Sequence, residues 1–339
     1  MTLNHRSITC LAYVLLTLGP ALAAGEKGRA SRSAGFPKLD ASSLPISHKI
    51  QIGGDPDWLA IGFGSVWIAV PKNNEVVRVD PVRNTVQARI PVDKEPCYGI
   101  GVGAKRVWVL NCQGQTLTGI DPWTNKVTLR VAVKIDTSGE GSIVADPHGV
   151  WFISNEDGHS SMLTQADSQT GHMLKTIRVG KDSAVVRSGF GSVWAVSSGE
   201  SKVYRVDPAS GRVVARIPVA ITPRFTTVGA GSIWVLSQSD GSVARIDPST
   251  NRVTAVIAAQ VPGAGGEICY GGGFIWVTMN GTPVTRIDPV RNTVVDQYGN
   301  YKQADAIRYG FGSIWVSDHG KGELWRIDAT KLRLVRGKK

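Results

Sequence analysis

Short apolar runs that each contain a tryptophan recur at nearly even intervals along the chain. Seven such tryptophans stand 39–43 residues apart, and most follow a glycine turn such as Gly62-Phe-Gly-Ser-Val-Trp67. A repeat of about 40–45 residues with β-like content is typical of β-propeller blades, each a four-stranded sheet around a central channel. The pattern therefore predicts an all-β chain: a seven-bladed β-propeller with four antiparallel strands per blade. The seven tryptophans are Trp67, Trp108, Trp151, Trp194, Trp234, Trp276 and Trp315.

Within each repeat, β-branched residues alternate with polar ones between clusters of Gly, Pro, Asn and Asp, a pattern that favours strands and turns over helices. In the first repeat the alternation predicts strands over 57–62, 65–70, 75–80 and 85–91. An Asp, usually followed by Pro, marks the turn between the third and fourth strands, because Asp can bond its own backbone and Pro presets φ. The tryptophans are expected to pack one blade against the next.

One further strand is expected from residues 47–53, which precede the first blade as a fourth strand precedes each later blade. We predict that it joins the seventh blade beside Leu324–Ile327, so that the ring closes without a long open edge. Residues 332–335 compete for the same place.

The first 23 residues resemble a secretory signal, with Arg6 before an apolar stretch and Ala21 and Ala23 at a small-residue cleavage site. The apolar stretch is too short to span a bilayer. The sequence thus predicts a signal peptide over 1–23, a flexible lead-in over 24–47 and the propeller over 48–336. The mature protein is expected to be exported, periplasmic or extracellular, with no transmembrane segment.

The chain is basic, with 38 Lys and Arg against 27 Asp and Glu and a formal net charge of +11. The cations are scattered over strands and turns, and no basic block is interleaved with aromatic residues, which argues against nucleic-acid binding. The partners that remain are a small-molecule or peptide-like ligand at the channel mouth, or another envelope protein.

The cysteines agree with export. Cys97 and Cys112 lie on the first and second strands of the second blade, and the turn between them places the two directly opposite each other in the hairpin. A disulfide would persist in an oxidising compartment, while a two-cysteine metal site would lack nearby histidines. Cys269 is expected to be an unpaired, buried residue.

Counting back from each tryptophan locates the start of the first strand in every blade, where the chain reaches the channel. Most residues there are small, so the charged and aromatic ones stand out. Such a mixture suits a small-molecule or peptide site, although Arg187, Glu267, Asp305 and Arg308 could instead satisfy one another as channel-lining ion pairs. The candidate ligand-binding residues are Asp57, Trp58, Tyr98, Arg187, Arg224, Phe225, Glu267, Asp305 and Arg308.

A longer loop in the third blade carries Glu156, Asp157 and His159. These are weak candidates for binding a divalent cation, Mg²⁺ or Ca²⁺, and a solvated acidic loop is the favoured alternative. The sequence contains no nucleophile elbow, no phosphate-binding glycine loop and no zinc-binding histidine pair.

The repeat unit, Gly-Phe-Gly-Ser-Val-Trp-Ile-Ala followed by Val-Val-Arg-Val-Asp-Pro and Thr-Val-x-Ala-Arg-Ile, resembles the streptogramin B lyase (virginiamycin B lyase) propellers and the YVTN-type repeat proteins. The resemblance covers about 48–335. It implies a metal-dependent elimination that opens a cyclic depsipeptide, with ligand glutamates and a histidine base near the start of a first strand.

Glu267 could match a ligand glutamate and is the candidate catalytic residue, but none of the seven strand starts carries a histidine. Cys97 and Cys269 stand near where that histidine would be expected. We therefore expect a ligand- or protein-binding module that lacks the lyase histidine; the alternative is a metal-assisted lyase or a lactonase-like hydrolase.

Overall fold

The computed structural model describes residues 38–136, 143–156, 158 and 160–332. The expected signal peptide, most of the expected lead-in, and residues 333–336 of the expected propeller lie outside this part of the chain. Within it, no helix is long and apolar enough to cross a membrane.

The first blade follows the alternation read from the sequence. Its strands are Leu59–Gly62, Ser65–Val70, Glu75–Asp80 and Thr85–Pro91, paired in that order and antiparallel. In the turn between the last two, the Asp80 carboxylate accepts backbone N–H bonds from Val82 and Arg83 at 2.8 and 3.0 Å. The predicted role of the Asp-Pro pair is thereby confirmed for this turn.

The other blades repeat this up-and-down order. Strands are numbered along the chain from two that precede the first blade, β1 (Leu39–Asp40) and β2 (Ile46–Gln51), so that the first blade holds β3–β6. Blade two comprises β7 (Pro96–Gly103), β8 (Arg106–Asn111), β9 (Thr116–Asp121) and β10 (Lys126–Ala132); blade three, β11 (Ile143–Asp146), β12 (Gly149–Ser154), β13 (Met162–Ala166) and β14 (Met173–Arg178); blade four, β15 (Ser183–Gly189), β16 (Ser192–Ser197), β17 (Lys202–Asp207) and β18 (Arg212–Pro218).

Blade five comprises β19 (Pro223–Gly229), β20 (Ser232–Ser237), β21 (Val243–Asp247) and β22 (Arg252–Ile257); blade six, β23 (Glu267–Gly271), β24 (Phe274–Met279), β25 (Thr282–Asp288) and β26 (Thr293–Gly299); blade seven, β27 (Ala304–Gly310), β28 (Ser313–Asp318) and β29 (Glu323–Ile327). In the described part of the chain, three short 3-10 helices span Ala41–Ser43, Pro71–Asn73 and Ala329–Lys331.

The ring is closed by the N-terminal strand. Strand β2 pairs antiparallel with β29, from Ile46 opposite Ile327 to Gln51 opposite Glu323, and supplies the fourth strand of blade seven. The predicted closure is confirmed.

Strand β1 adds to blade six as a fifth strand, parallel to β26. Residues 38–47, the part of the expected lead-in that the structure describes, are therefore held on blades six and seven. Ala41 and Leu44 pack in one cluster with Trp325 and Leu332, because each offers apolar surface that would otherwise face water.

The seven repeat tryptophans are buried between blades, with 0–1% of their surface exposed. Trp67 packs with Val107 and Val109 of blade two, and Trp315 packs with Leu59 and Val66 of blade one across the closure. The indole N–H of Trp67 donates to the carbonyl of Gly62 at 3.0 Å. Their expected packing role is confirmed.

The Cys97–Cys112 disulfide is present, with the two Cα atoms 5.7 Å apart, and Cys269 is buried and unpaired. The register argument that suggested the bridge was wrong in detail. The ladder pairs Cys97 with Leu110, because the register shifts between Cys97 and Ile100. Gly99 has a φ of 145° at that irregularity, which favours glycine.

Candidate functional site: a charged central channel

The first strands of all seven blades line a central cavity of about 240 Å³. The lining residues stand six to eight positions before each tryptophan, so the cavity lies toward the end of the channel where the turns between first and second strands are found. Ala60, Gly101, Val144 and Thr227 provide small walls in four of the blades. Against them, Arg187 and Arg308 are the charged side chains of the lining, and Tyr270 and Tyr309 are its aromatic ones.

A buried carboxylate joins these two arginines. Glu267 Oε1 accepts from Arg187 Nη2 at 3.0 Å, and its Oε2 forms an ion pair with Arg308. The Glu267 side chain is 1% exposed, whereas each arginine side chain is 17% exposed. Each guanidinium also donates to the carbonyl of the residue before it, Val186 at 2.9 Å and Ile307 at 2.8 Å. The three residues form what we call the channel triad.

Both arginines of the channel triad are charged groups in a largely buried place. Burial and the nearby Arg308 together lower the pKa of Arg187 to about 10, although Glu267 opposes them, and Arg187 remains cationic at neutral pH. Burial raises the pKa of the Glu267 carboxyl, an effect that Arg308 and Arg187 oppose. Among the three residues of the channel triad, two guanidiniums share one carboxyl group. Burial also raises the pKa of the neighbouring Cys269 thiol to about 12, so this residue is neutral and a poor nucleophile.

Two aromatic side chains block the opposite end of the channel. Trp58 of blade one and Phe225 of blade five lie on different sides of the ring, and their ring centroids are 6.1 Å apart with the planes tilted by 50°. They are 4% and 1% exposed and share a core cluster with Val185 and Ile268. Their buried faces pack against protein, so these two rings offer little surface to a ligand at that end.

The remaining candidates lie outside the channel triad. Asp305 accepts a 2.8 Å bond from the Gly266 backbone and borders a separate cavity of about 270 Å³ between blades six and seven, together with His319. Asp57 and Arg224 are half-buried near the Trp58–Phe225 pair in sequence. The side chain of Tyr98 lies outside the described part of the structure. The structure thus unites Arg187, Glu267 and Arg308 and separates Asp305 from them.

Of the weak metal candidates, Asp157 and His159 fall outside the described residues. Glu156 is half-buried, and its backbone carbonyl accepts a bond from Lys134 Nζ at 3.2 Å. Among the residues that the structure does describe, no three or more His, Cys, Asp or Glu side chains are grouped so as to hold a metal ion.

A repeated arginine, which was not predicted from the sequence, clamps one blade to the next at four of the seven blade boundaries. In blade four, Arg205 donates from Nε to Ser192 Oγ at 2.8 Å and from Nη1 to the carbonyl of Pro248 and the side chain of Asn251 in blade five, at 2.6 and 2.8 Å. Its guanidinium lies 5.0 Å from the Trp194 ring. The same contacts recur at Arg78, Arg245 and Arg326.

The signal for this clamp was in the sequence. A serine stands two residues before the tryptophan, an arginine eleven after it, and an asparagine four after the Asp of the next repeat. The asparagines adopt positive φ, for example 57° at Asn251, which orients the turn toward the arginine. Part of the basic charge of the chain is therefore structural.

No protein-family profile matches the chain, and no curated protein matches it in sequence. Solved structures do match it in fold. Virginiamycin B lyase from Staphylococcus aureus superposes with a TM-score of 0.69 at 13% identity, over 83% of this chain and 98% of that one. A streptogramin B lyase gives 0.67 at 17% identity, over 84% and 94%. BamB from Moraxella catarrhalis gives 0.58 at 16%, over 82% and 85%.

The chain shares the β-propeller fold of these proteins. The resemblance to the streptogramin B lyase propellers that the repeats predicted is confirmed at the level of the fold, and at these identities the likeness concerns the fold alone.

Proposed function

We propose that this chain is an exported binding module that holds a small carboxylate-bearing molecule in its central channel. The channel triad carries the proposal, since two guanidiniums line the cavity side by side and each arginine side chain keeps 17% of its surface exposed. Guanidinium groups pair with carboxylates bidentately, and the attraction strengthens where water is excluded. A ligand carboxylate that enters the cavity would come close to both guanidiniums.

The size of the cavity limits the ligand. About 240 Å³ is less than the roughly 300–1,000 Å³ of pockets that hold drug-sized molecules. A short mono- or dicarboxylic acid, or the carboxyl end of a peptide, fits this volume. Entry from the end opposite Trp58 and Phe225 would bring the carboxylate directly to Arg187 and Arg308.

Export is supported by the disulfide between Cys97 and Cys112, because such bonds persist in oxidising compartments. We propose a periplasmic or extracellular location on this ground and on the signal-like residues 1–23.

The lyase alternative has support from the fold of the two lyase structures. A base that abstracts a proton must come within about 3 Å of the substrate. Glu267 is the candidate base, but it is 1% exposed and both its carboxylate oxygens are engaged by arginines. The geometry of the channel triad therefore favours binding over elimination.

Isothermal titration calorimetry with acetate, succinate, citrate and a free-carboxyl dipeptide tests the proposal. We expect at least one to bind wild-type protein, and binding to weaken at least tenfold in Arg308→Gln. The exposed Arg252→Gln variant serves as the matched control and should bind as the wild type does.

Thr227→Val provides a second variant, since it changes the cavity wall without removing a member of the channel triad. It should shift the preference among the ligands while the protein stays folded. Absence of binding by every carboxylate at millimolar concentration, or equal binding by Arg308→Gln, would contradict the proposed function.

A further inference from the structure

The third to fourth strand turn of blade two presents an unusual residue to solvent. All ten tryptophans of the sequence lie in the described part of the chain, and nine of them are at most 4% exposed. Trp123 alone is exposed, at 67%. At the equivalent position, directly after the proline, blade one has Val82 and blade four has Ala209. A large flat apolar surface in water therefore calls for an explanation specific to blade two.

Trp123 is held in place from several sides. Its ring lies against Phe63 of blade one, with centroids 5.4 Å apart and planes at 60°. Its backbone N–H donates to Asp121 Oδ1 at 2.8 Å, and Arg78 binds the carbonyl of Pro122 and the side chain of Asn125 on either side of it. The indole is thus fixed before any ligand arrives, which lowers the entropic cost of binding.

A cleft of about 880 Å³ lies beside this ring, between blades two and three. Two departures from the repeat accompany it. Blade two has Gly119 where most blades carry the clamping arginine, and Arg106 from β8 instead reaches across to the carbonyl of Ser168. Blade three has Ser168 where most of the other blades have proline. Both departures meet at this blade boundary.

The polar groups on the cleft include both hydrogen-bond donors and acceptors. Lys105 and Arg106 supply donors from blade two, Asp121 supplies a carboxylate, and Gln169 of blade three offers an amide that can do both. One apolar ring among such groups suits a ligand with a flat face of C–H groups and a rim of hydroxyls. That combination is the chemistry of a sugar ring.

We propose that the Trp123 cleft is an oligosaccharide-binding site, in which a sugar ring stacks on the exposed indole face and its hydroxyls bond to Asp121, Lys105 and Gln169. The volume accommodates two or three sugar units within the pocket sizes usual for ligands. This site is separate from the channel triad and does not depend on the function proposed for it.

Fluorescence quenching by acrylamide reads this site directly, because Trp123 is the exposed one of ten tryptophans. The wild type should show one quenchable component, and Trp123→Ala should abolish it while the emission of the buried tryptophans remains. Titration with chitotriose, maltotriose, cellotriose and tri-galacturonic acid should reveal at least one oligosaccharide that lowers the quenching constant severalfold.

Two further variants separate sugar binding from a change in the fold. Gln169→Ala keeps the reporter and should weaken the protection by the same sugar at least fivefold. Val82→Ala removes the exposed residue at the equivalent tip of blade one and should leave protection unchanged. The proposal is overturned if no oligosaccharide at 10 mM protects Trp123 from quenching, or if Gln169→Ala binds the sugar as well as the wild type does. It is also overturned if adenosine protects Trp123 and none of the sugars does, since the cleft would then prefer a flat aromatic ring.

Discussion

Replacing Glu267 with Gln tests how charge is balanced inside the channel. Gln has nearly the same volume as Glu and keeps one oxygen that can accept a hydrogen bond from one guanidinium. Its NH2 group, however, would face the other guanidinium, and neither of these two groups can accept a hydrogen bond. Removing one partner of a buried ion pair costs about 3–5 kcal/mol. Arg187 and Arg308 keep 17% exposure toward the cavity, so water can partly solvate them. We therefore expect Glu267→Gln to lower the free energy of unfolding by about 2–4 kcal/mol.

The assay is urea unfolding followed by tryptophan fluorescence, at constant ionic strength, with either chloride or acetate as the anion. An anion that binds the two partly buried guanidiniums stabilises the folded protein by mass action, by about 1.4 kcal/mol at ten times its dissociation constant. Replacing chloride with acetate should raise the free energy of unfolding of Glu267→Gln, and by more than it raises that of the wild type.

Asp296→Asn is the matched control. Asp296 is fully buried and pairs with Arg286 across strands β25 and β26 of blade six. Its loss also breaks a buried ion pair, but within a sheet, so acetate should not restore stability. Unfolding of Glu267→Gln at the same urea concentration as the wild type would show that Glu267 does not balance charge in the channel. Equal gains in the free energy of unfolding of both variants in acetate would contradict anion binding at the two arginines.

Arg205→Lys should lower the free energy of unfolding by about 1.5–3 kcal/mol, because a single ammonium nitrogen cannot reach all three acceptors that the guanidinium fork spans. In the same urea assay, the exposed control Arg212→Lys should change the free energy of unfolding by less than about 0.5 kcal/mol. Thiol labelling of the mature, unreduced protein should find one thiol, Cys269, and only after unfolding, since burial raises its pKa to about 12; three reactive thiols would contradict the disulfide. Burial and the hydrogen bond to Glu200 raise the pKa of Tyr204 to about 12, so the folded state retains a proton that the unfolded state loses above about pH 10. The free energy of unfolding should therefore fall between pH 10 and 12. If Tyr204→Phe leaves the pH dependence of the free energy of unfolding unchanged in this range, Tyr204 is not the cause. Streptogramin B linearisation with added magnesium should stay at background, and turnover that disappears in Glu267→Gln would favour the lyase alternative.

Much of the fold could be predicted because the period of the tryptophans and the alternation between them leave few architectures. The second to fourth strands of blade one start and end where the alternation placed them. The first strand begins at Leu59 and not at 57. The register at Cys97 could not be read, because an irregularity at Tyr98 and Gly99 depends on local backbone geometry and leaves no mark in the pattern.

The site was predictable only in part. Arg187 and Arg308 occupy the same position in the first strands of two blades, so their common height on the channel follows from the repeat, and both line one cavity. The side-chain directions of Trp58 and Phe225 were not available from position alone. Both rings reach across the axis and pack against each other, so they close one end of the channel, whereas the sequence suggested walls of an open mouth.

Trp123 illustrates a different limit. Its position directly after a turn proline does not distinguish it from Val82, which is also exposed at the same position of blade one. The cleft beside Trp123 coincides with Gly119 and Ser168, two small departures in different repeats. Only the assembled ring brings those departures to the same boundary.

Binding of anions in the channel through Arg187 and Arg308 can be observed directly. Diffraction at the bromine absorption edge, from crystals soaked in bromide, locates bound anions without assuming the identity of the ligand. We expect an anomalous peak inside the channel, in hydrogen-bonding contact with one or both guanidiniums, that weakens when succinate is added to the soak. Bromide found at surface lysines and arginines, with the channel free of anomalous density, would contradict it.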